Sequence, residues 1–315
     1  MPLRAALALL LAAGCSKPPA PPATPPVSRA ADFLASKQGA DGLWKSGTST
    51  VLSSGQALTP FVLYALSHAP ADVVARHRAA IDRGLAQLPV EGNEYPSYSL
   101  ALAILALRRL RPQADTAPLA KRLRALQLTE ANGWSEADPE YGGWDQGLIP
   151  PKKPQCQRPD VSVTAFAAEA LGGDAKAVKF AGRCRAKEGG YFFTPNATWQ
   201  HQNKAGAGKG YATASADAFR ILEAADSKSK PGGAFLLQDE EPAWHRLPDA
   251  YAEALFFYHA FARSKVAPDA SIAQAVAARQ QPDGSFQNPN GLMKEDDPLV
   301  ATGLALVALA LSGPR

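Results

Sequence analysis

"YGGWDQGLIPPKKPQCQRPDVSVTAFAAEAL", residues 141–171, begins with a double glycine and a tryptophan, passes through a proline-rich loop, and ends as a helix apolar on nearly every side. Adjacent glycines let a chain turn sharply, because glycine adopts backbone angles closed to other residues. The tryptophan beside them is suited to wedge between packed helices. A helix that is apolar all round must be buried all round. The stretch therefore predicts a turn that delivers a helix into the interior of a layered helical domain.

Both halves of the stretch recur. The glycine-aromatic turn appears as "QGADGLW" (38–44), "ANGWSEADPEYGGW" (131–144), "KEGGYFFTP" (187–195), "KPGGAF" (230–235) and "QQPDGSF" (280–286). The apolar helix appears as "LTPFVLYAL" (58–66), "SYSLALAILAL" (97–107), "DVSVTAFAAEAL" (160–171), "YATASADAFRIL" (211–222), "DAYAEALFFYHAF" (249–261) and "DPLVATGLALVAL" (297–309). Thr59, Thr164, Ser215 and Thr302 hold one register, seven residues before the terminal leucine, which marks a common repeated unit.

Helices of another kind lie between these. In "ADVVARHRAAIDRGLAQL" (71–88), Val74, Ile81, Leu85 and Leu88 form one stripe, with Arg76, Arg78, Asp82 and Arg83 facing away. "APLAKRLRALQL" (117–128) and "SIAQAVAARQQ" (271–281) follow the same pattern. One-faced helices alternating with all-round apolar ones require two layers, amphipathic outside and apolar inside. No period of two recurs, so the domain is expected to be all-α. Six inner helices can close into a ring, and closure removes the exposed ends that an open helical solenoid must cap.

At this level of detail the chain resembles the prenyltransferase and squalene-cyclase repeat family. The resemblance rests on "YGGW…PDVSVTAFAAEAL", "GGYFFTP…NKAG…GYATASADAFRIL" and "QQPDGSF…KEDDPLVATGLALVALAL", and it extends over residues 30–311. It implies an α/α toroid, a closed two-layer ring of about six helical hairpins. It also supplies functional motifs to look for. The cyclases' D-x-D-D acid motif has as its nearest counterpart "KEDDPLVAT", with Glu295, Asp296 and Asp297, which lacks the spacing. Asp296 or Asp297 before Pro298 reads as a helix cap. The inner helices are rich in alanine where a cyclase has aromatic residues. The Asp, Cys and His zinc ligands of protein prenyltransferase β subunits have no counterpart, because His68, His77, His201, His245 and His259 lack the short spacings of a zinc site. Neither the thioester motif of complement-like toroids nor a phosphate-binding loop is present. No metal and no cofactor is expected.

What remains is a central cavity lined by the N-terminal ends of inner helices, where free amides favour acidic side chains or anions. Its expected rim comprises Tyr98, Trp144, Asp160, Tyr211, Asp249, Tyr251 and Asp297, and the polar, glycine-rich segment 196–210 is expected to form a loop over the mouth.

The N-terminal residues read as an address. Residues 1–14, "MPLRAALALLLAAG", hold one cation, Arg4, then an apolar run from Ala5 to Ala13. This is the layout of an export signal, and the run is too short to span a bilayer, which takes about 20 residues. "LAAGC" resembles the bacterial lipobox, which implies a lipid on Cys15 and, with Ser16 next, an outer-membrane destination. Residues 15–28 are a proline-rich spacer, expected to be extended. Residues 29–315 form one large domain. The formal charge of +4 becomes +3 once Arg4 is removed and is spread without a dense basic block, so nucleic acid is not an expected partner.

With Cys15 committed to lipid, Cys156 and Cys184 remain as an even pair. An inner helix starting near Asp160 and an outer helix returning antiparallel beside it would bring Cys184 back to Cys156, so a disulfide is expected in the oxidising envelope. Two functions are compatible with these features. One is an envelope lipoprotein whose toroid binds a lipid, glycan or protein ligand without catalysis. The other is an enzyme acting on an envelope lipid or polysaccharide, with paired carboxylates such as Asp249 with Glu253, or Glu295 with Asp297, as acid and base.

Overall fold

The computed structural model describes residues 24–88, 94–225 and 249–313, with backbone only at 249 and 250. Among the described residues there are thirteen α-helices and no strands, only two isolated bridges, Gln127 with Trp144 and Arg185 with Tyr191. Six helices form the inner layer: α2 (Leu58–Leu66), α5 (Pro96–Leu110), α7 (Val161–Leu171), α9 (Ala212–Ala225), α11 (Phe256–Val266) and α13 (Pro298–Ser312). Each packs against the next in order, and α13 packs back on α2. The ring is closed, and the fold is an all-α α/α toroid. Gly303 stands at the closing seam. A β-carbon there would fall 2.4 Å from the Phe61 ring, so a larger residue would have to displace that ring where α13 meets α2.

Outside the ring lie α1 (Pro26–Ser36) against α13, α4 (Arg78–Leu85) against α2, α6 (Ala117–Ala125) against α5, α8 (Ala175–Arg183) against α9, and α12 (Ala270–Ala277) against α11 and α13. Because α1 begins at Pro26 and Ser28 is buried, the described fold includes the last residues of the expected spacer. The helix expected over 71–88 is two, α3 (Ala71–Arg76) and α4, broken at His77. The ring of His77 turns instead to Asp32 of α1, 2.6 Å away.

The repeated register has a physical cause. The backbone amide of each turn aromatic donates to the hydroxyl in that register on its inner helix: Trp44 to Thr59 (3.1 Å), Trp144 to Thr164 (3.1 Å), Tyr191 to Ser215 (3.0 Å) and Phe286 to Thr302 (2.9 Å). All four hydroxyl residues are fully buried. Both tryptophans also reach outward, Trp44 Nε1 to Leu34 O (2.6 Å) and Trp144 Nε1 to Leu123 O (2.8 Å). One residue thus ties the turn to both layers. Gly142 is required beside Trp144: its φ is 89°, and a β-carbon would lie 2.1 Å from Lys176 O. The turn "KPGGAF" falls outside the described residues.

Two expectations are corrected. The inner helix predicted over 249–261 is instead one turn, α10 (Asp249–Ala252), followed by a break and then α11 from Phe256. The delay follows from a long-range cap. Glu295 accepts from the amides of Phe257 (3.0 Å) and Tyr258 (2.7 Å), and so takes the first-turn donors of α11. The Cys156–Cys184 disulfide is not formed: both cysteines are free. Cys184 closes α8 with its side chain wholly in the core, where burial pushes its thiol well above the ordinary range. Along the facing loop it is Gln157 that turns inward, with Nε2 donating to Pro150 O (2.8 Å), which leaves Cys156 exposed.

Candidate functional site

The inner helices do not fill the ring. At their N-terminal ends they enclose a cavity of about 290 Å³, near the lower end of the ~300–1,000 Å³ found for small-molecule sites. Its wall is mostly aromatic and aliphatic. Phe61, Tyr98, Phe166, Tyr211 and Tyr258 come from successive inner helices or the turn into them, and Leu52, Phe193 and Met293 come from loops above. Tyr98 meets the Phe166 ring edge-on at 5.6 Å, and Phe166 stacks on Phe261 at 5.6 Å. Burial holds Tyr98, Tyr211 and Tyr258 well above the usual phenol range, so they act as neutral hydroxyls.

Polar groups on the wall are few and specifically held. Asp160 caps α7, accepting from Val163 N (2.9 Å), and burial pushes its carboxyl up to about 7 against that bond and the pull of Lys204. Asp217, on α9, accepts from Ser162 Oγ (2.6 Å), Tyr258 Oη (3.0 Å) and Arg220 Nη1 (2.6 Å). Burial raises its pKa and Arg220 opposes the rise. Glu295 is likewise pushed up to about 7 by burial, against the amides it caps.

Beneath the cavity lies a polar plug. The Arg220 guanidinium sits 4.3 Å from the Phe166 ring centre and 5.1 Å from that of Phe261. It grips Glu169 through two bonds of 2.9 and 3.2 Å, and Lys265 bridges Glu169 and Tyr64. Burial works against the charge on Arg220, but Glu169 and Asp217 more than offset it.

The mouth carries strain. Among the described residues, Tyr95 (φ 44°) and Lys294 (φ 62°) are the non-glycine residues in the left-handed region, a conformation that costs roughly 1–2 kcal/mol each. Both line the cavity, and Lys294 Nζ donates to Tyr95 Oη at 3.0 Å. Nearby loops leave large apolar side chains in solvent: Val51, Leu148, Ile149 and Leu292 are each 42–57% exposed and follow or precede the wall residues Leu52, Gln146 and Met293 closely in sequence.

Of the residues expected at the rim, Tyr98, Asp160 and Tyr211 line the cavity. Trp144 does not, being locked between the layers as described above. Asp297 does not either. It caps α13 through Leu299 N (2.8 Å) and Val300 N (3.2 Å), and accepts from Ser46 and Thr48. The Asp249 side chain lies outside the described residues, and Tyr251 is not on the wall. Neither expected carboxylate pair faces the other across the cavity: Glu253 is exposed and pairs with Arg279 at 2.7 Å, and only Glu295 of the second pair is on the wall. In segment 196–210 the Asn203 side chain receives the amides of Phe193 and Thr194, which sets Lys204 on the wall. Asp217, Tyr258, Lys204 and Phe166 were not anticipated. A signal for the first was present: "YATASADAFRIL" and "VSVTAFAAEAL" carry Asp217, Arg220 and Glu169 on stretches otherwise uncharged, and charges there must find buried partners. Among the described residues no cluster of His, Cys, Asp and Glu has metal-binding geometry.

No family model matches the chain, and no curated protein matches it. Among solved structures it is similar to the type II terpene cyclase MstE from Scytonema in its apo form, at 14% identity, over 91% of this chain and 96% of that chain, with a TM-score of 0.38. A likeness this distant has no bearing on chemistry.

Proposed function

We propose that this protein is a lipid-anchored binding protein of the bacterial cell envelope, whose toroid holds a small, largely apolar ligand in its central cavity. One observation carries the reading: a space of about 290 Å³ walled mostly by aromatic and aliphatic side chains, whose acids Asp160, Asp217 and Glu295 are already hydrogen-bonded to the protein. Apolar burial supplies affinity in such sites and a few placed polar groups supply orientation. The apolar loop tips at the mouth suit entry of a ligand from a lipid-rich setting. Anchoring through Cys15, at the outer membrane, rests on the lipobox-like "LAAGC". No helix among the described residues is long and apolar enough to cross a membrane.

The test is titration with N-phenyl-1-naphthylamine, a small apolar dye whose fluorescence rises in dry pockets. We expect one site per chain, and loss of binding in Val300→Trp, where an indole fills the cavity from α13. Dye that fails to bind, or binds Val300→Trp equally well, contradicts the proposal.

Asp160 favours a second reading. A carboxyl that stays partly protonated near neutral pH, on a wall of aromatic rings, is equipped to donate a proton to a bound ligand while the ring faces stabilise positive charge. In that case the ligand recovered from Asp160→Asn would differ chemically from that recovered from the wild type; under the binding reading the two are the same compound.

A further inference from the structure

The charges on the cavity wall are unevenly matched. Every acid there already has donors: Asp160 has Val163 N, Asp217 has Ser162, Tyr258 and Arg220, and Glu295 has two amides of α11 with the Asn288 side chain. The two lysines are matched differently. Lys294 donates to a neutral phenol, Tyr95. Lys204 stands 3.7 Å from the centre of the Phe193 ring. Among the described residues, no carboxylate lies within ion-pair distance of either.

Such an ammonium group is costly in a largely apolar wall unless something compensates it. Burial already pulls the Lys204 pKa down, with Asp160 and Asp217 pulling it up from a distance. Arg158, which bonds Gln146 on the wall, adds further positive potential at Lys204. Lys294, for its part, is held towards the mouth by a backbone conformation that disfavours lysine. The ends of α7 and α9 that border the space present helix N-termini, which favour negative charge.

We infer that the ligand is an amphipathic anion, a single apolar chain or ring system bearing a carboxylate, whose head is held between Lys204 and Lys294 while its body fills the aromatic cavity. Its head supplies the direct ion-pair partner that neither lysine has. Asp160 and Glu295, each partly protonated near neutral pH, stand ready to donate to the carboxylate oxygens or to remain neutral beside them. The inference rests on the binding function proposed above and adds the charge of the head group to it.

The experiment compares three ten-carbon probes by calorimetry on the full chain: decanoate, decanol and decyltrimethylammonium. We expect decanoate to bind at least tenfold more tightly than decanol, and the ammonium compound most weakly. Lys204→Met should abolish the preference for decanoate over decanol. Decanol or the ammonium compound binding as tightly as decanoate overturns the inference and leaves the binding function standing. Failure of all three probes overturns both. Because the three probes are ranked on the wild type, the inference can fail even if Lys204→Met does not fold; Lys294→Met then provides the variant comparison, with the same loss of preference expected.

Discussion

At the scale of single residues, the four hydroxyls at Thr59, Thr164, Ser215 and Thr302 were visible as a register long before they had a role. A sequence shows which positions repeat, but only the packed layers show that each hydroxyl receives the amide of its turn aromatic. Asp160 was legible as a rim residue because it stands directly before an apolar inner helix, whose free first-turn amides favour an acid. Its titration was not, since that depends on how deeply the ring buries it. The sign of the consequence follows from the shift. Asp160 and Glu295 move up from 3.8 and 4.5 to about 7 in the folded protein. Below both unfolded values each state holds its protons and no penalty applies. As pH rises towards 7 the unfolded chain releases protons first, and folding stability falls until the folded carboxyls ionise too. The melting temperature should therefore decline from about pH 4.5 to about pH 7.5, and the decline should flatten in Asp160→Asn combined with Glu295→Gln, where the introduced carboxamide oxygen before α7 can still accept from the Val163 amide. A profile that rises through this window, or one indifferent to both substitutions, would show the carboxyls to be solvated.

At the scale of elements, hydrophobic periodicity identified five of the six inner helices to within a turn or so of their bounds. It failed at α11, whose start is set by Glu295, a residue 37 and 38 positions away from the amides it caps. No local pattern encodes such a cap. The outer helix expected over 71–88 is divided at His77, whose ring meets Asp32 of another helix. The expected disulfide failed because antiparallel packing brings helix ends together without deciding which side chain of a loop turns inward: Gln157 is buried and Cys156 is exposed. α9 makes the firmest energetic statement of any element. Arg220 is 1% exposed and compensates both Asp217 and Glu169. Replacing it with Met would leave Asp217 without its cation and Glu169 with Lys265 alone, and removing one partner of a buried ion pair costs about 3–5 kcal/mol. Urea denaturation of Arg220→Met should show a loss of that size; a loss under about 1 kcal/mol would mean that the plug is hydrated and does not brace the ring.

At the scale of the whole molecule, closure was legible in the count of inner helices, and the cavity was legible only as a place. Tyr98, Asp160 and Tyr211 of its wall were expected from the helix starts, but Lys204, Phe193 and Met293 were not, because they reach it from loops whose course depends on the completed ring. The proposed envelope address rests on residues 1–15 alone. Cys15→Ser should move the protein from the membrane fraction to the soluble one; a variant that still sediments with membranes in high salt would remove the lipid anchor from the account. The central claim is that the ring is a vessel, and native mass spectrometry of protein isolated from its own cell envelope addresses it most directly. The account predicts one small amphipathic molecule bound per wild-type chain and none on Val300→Trp. Wild-type protein that arrives empty, or a bound species retained unchanged when the cavity is filled, would contradict it.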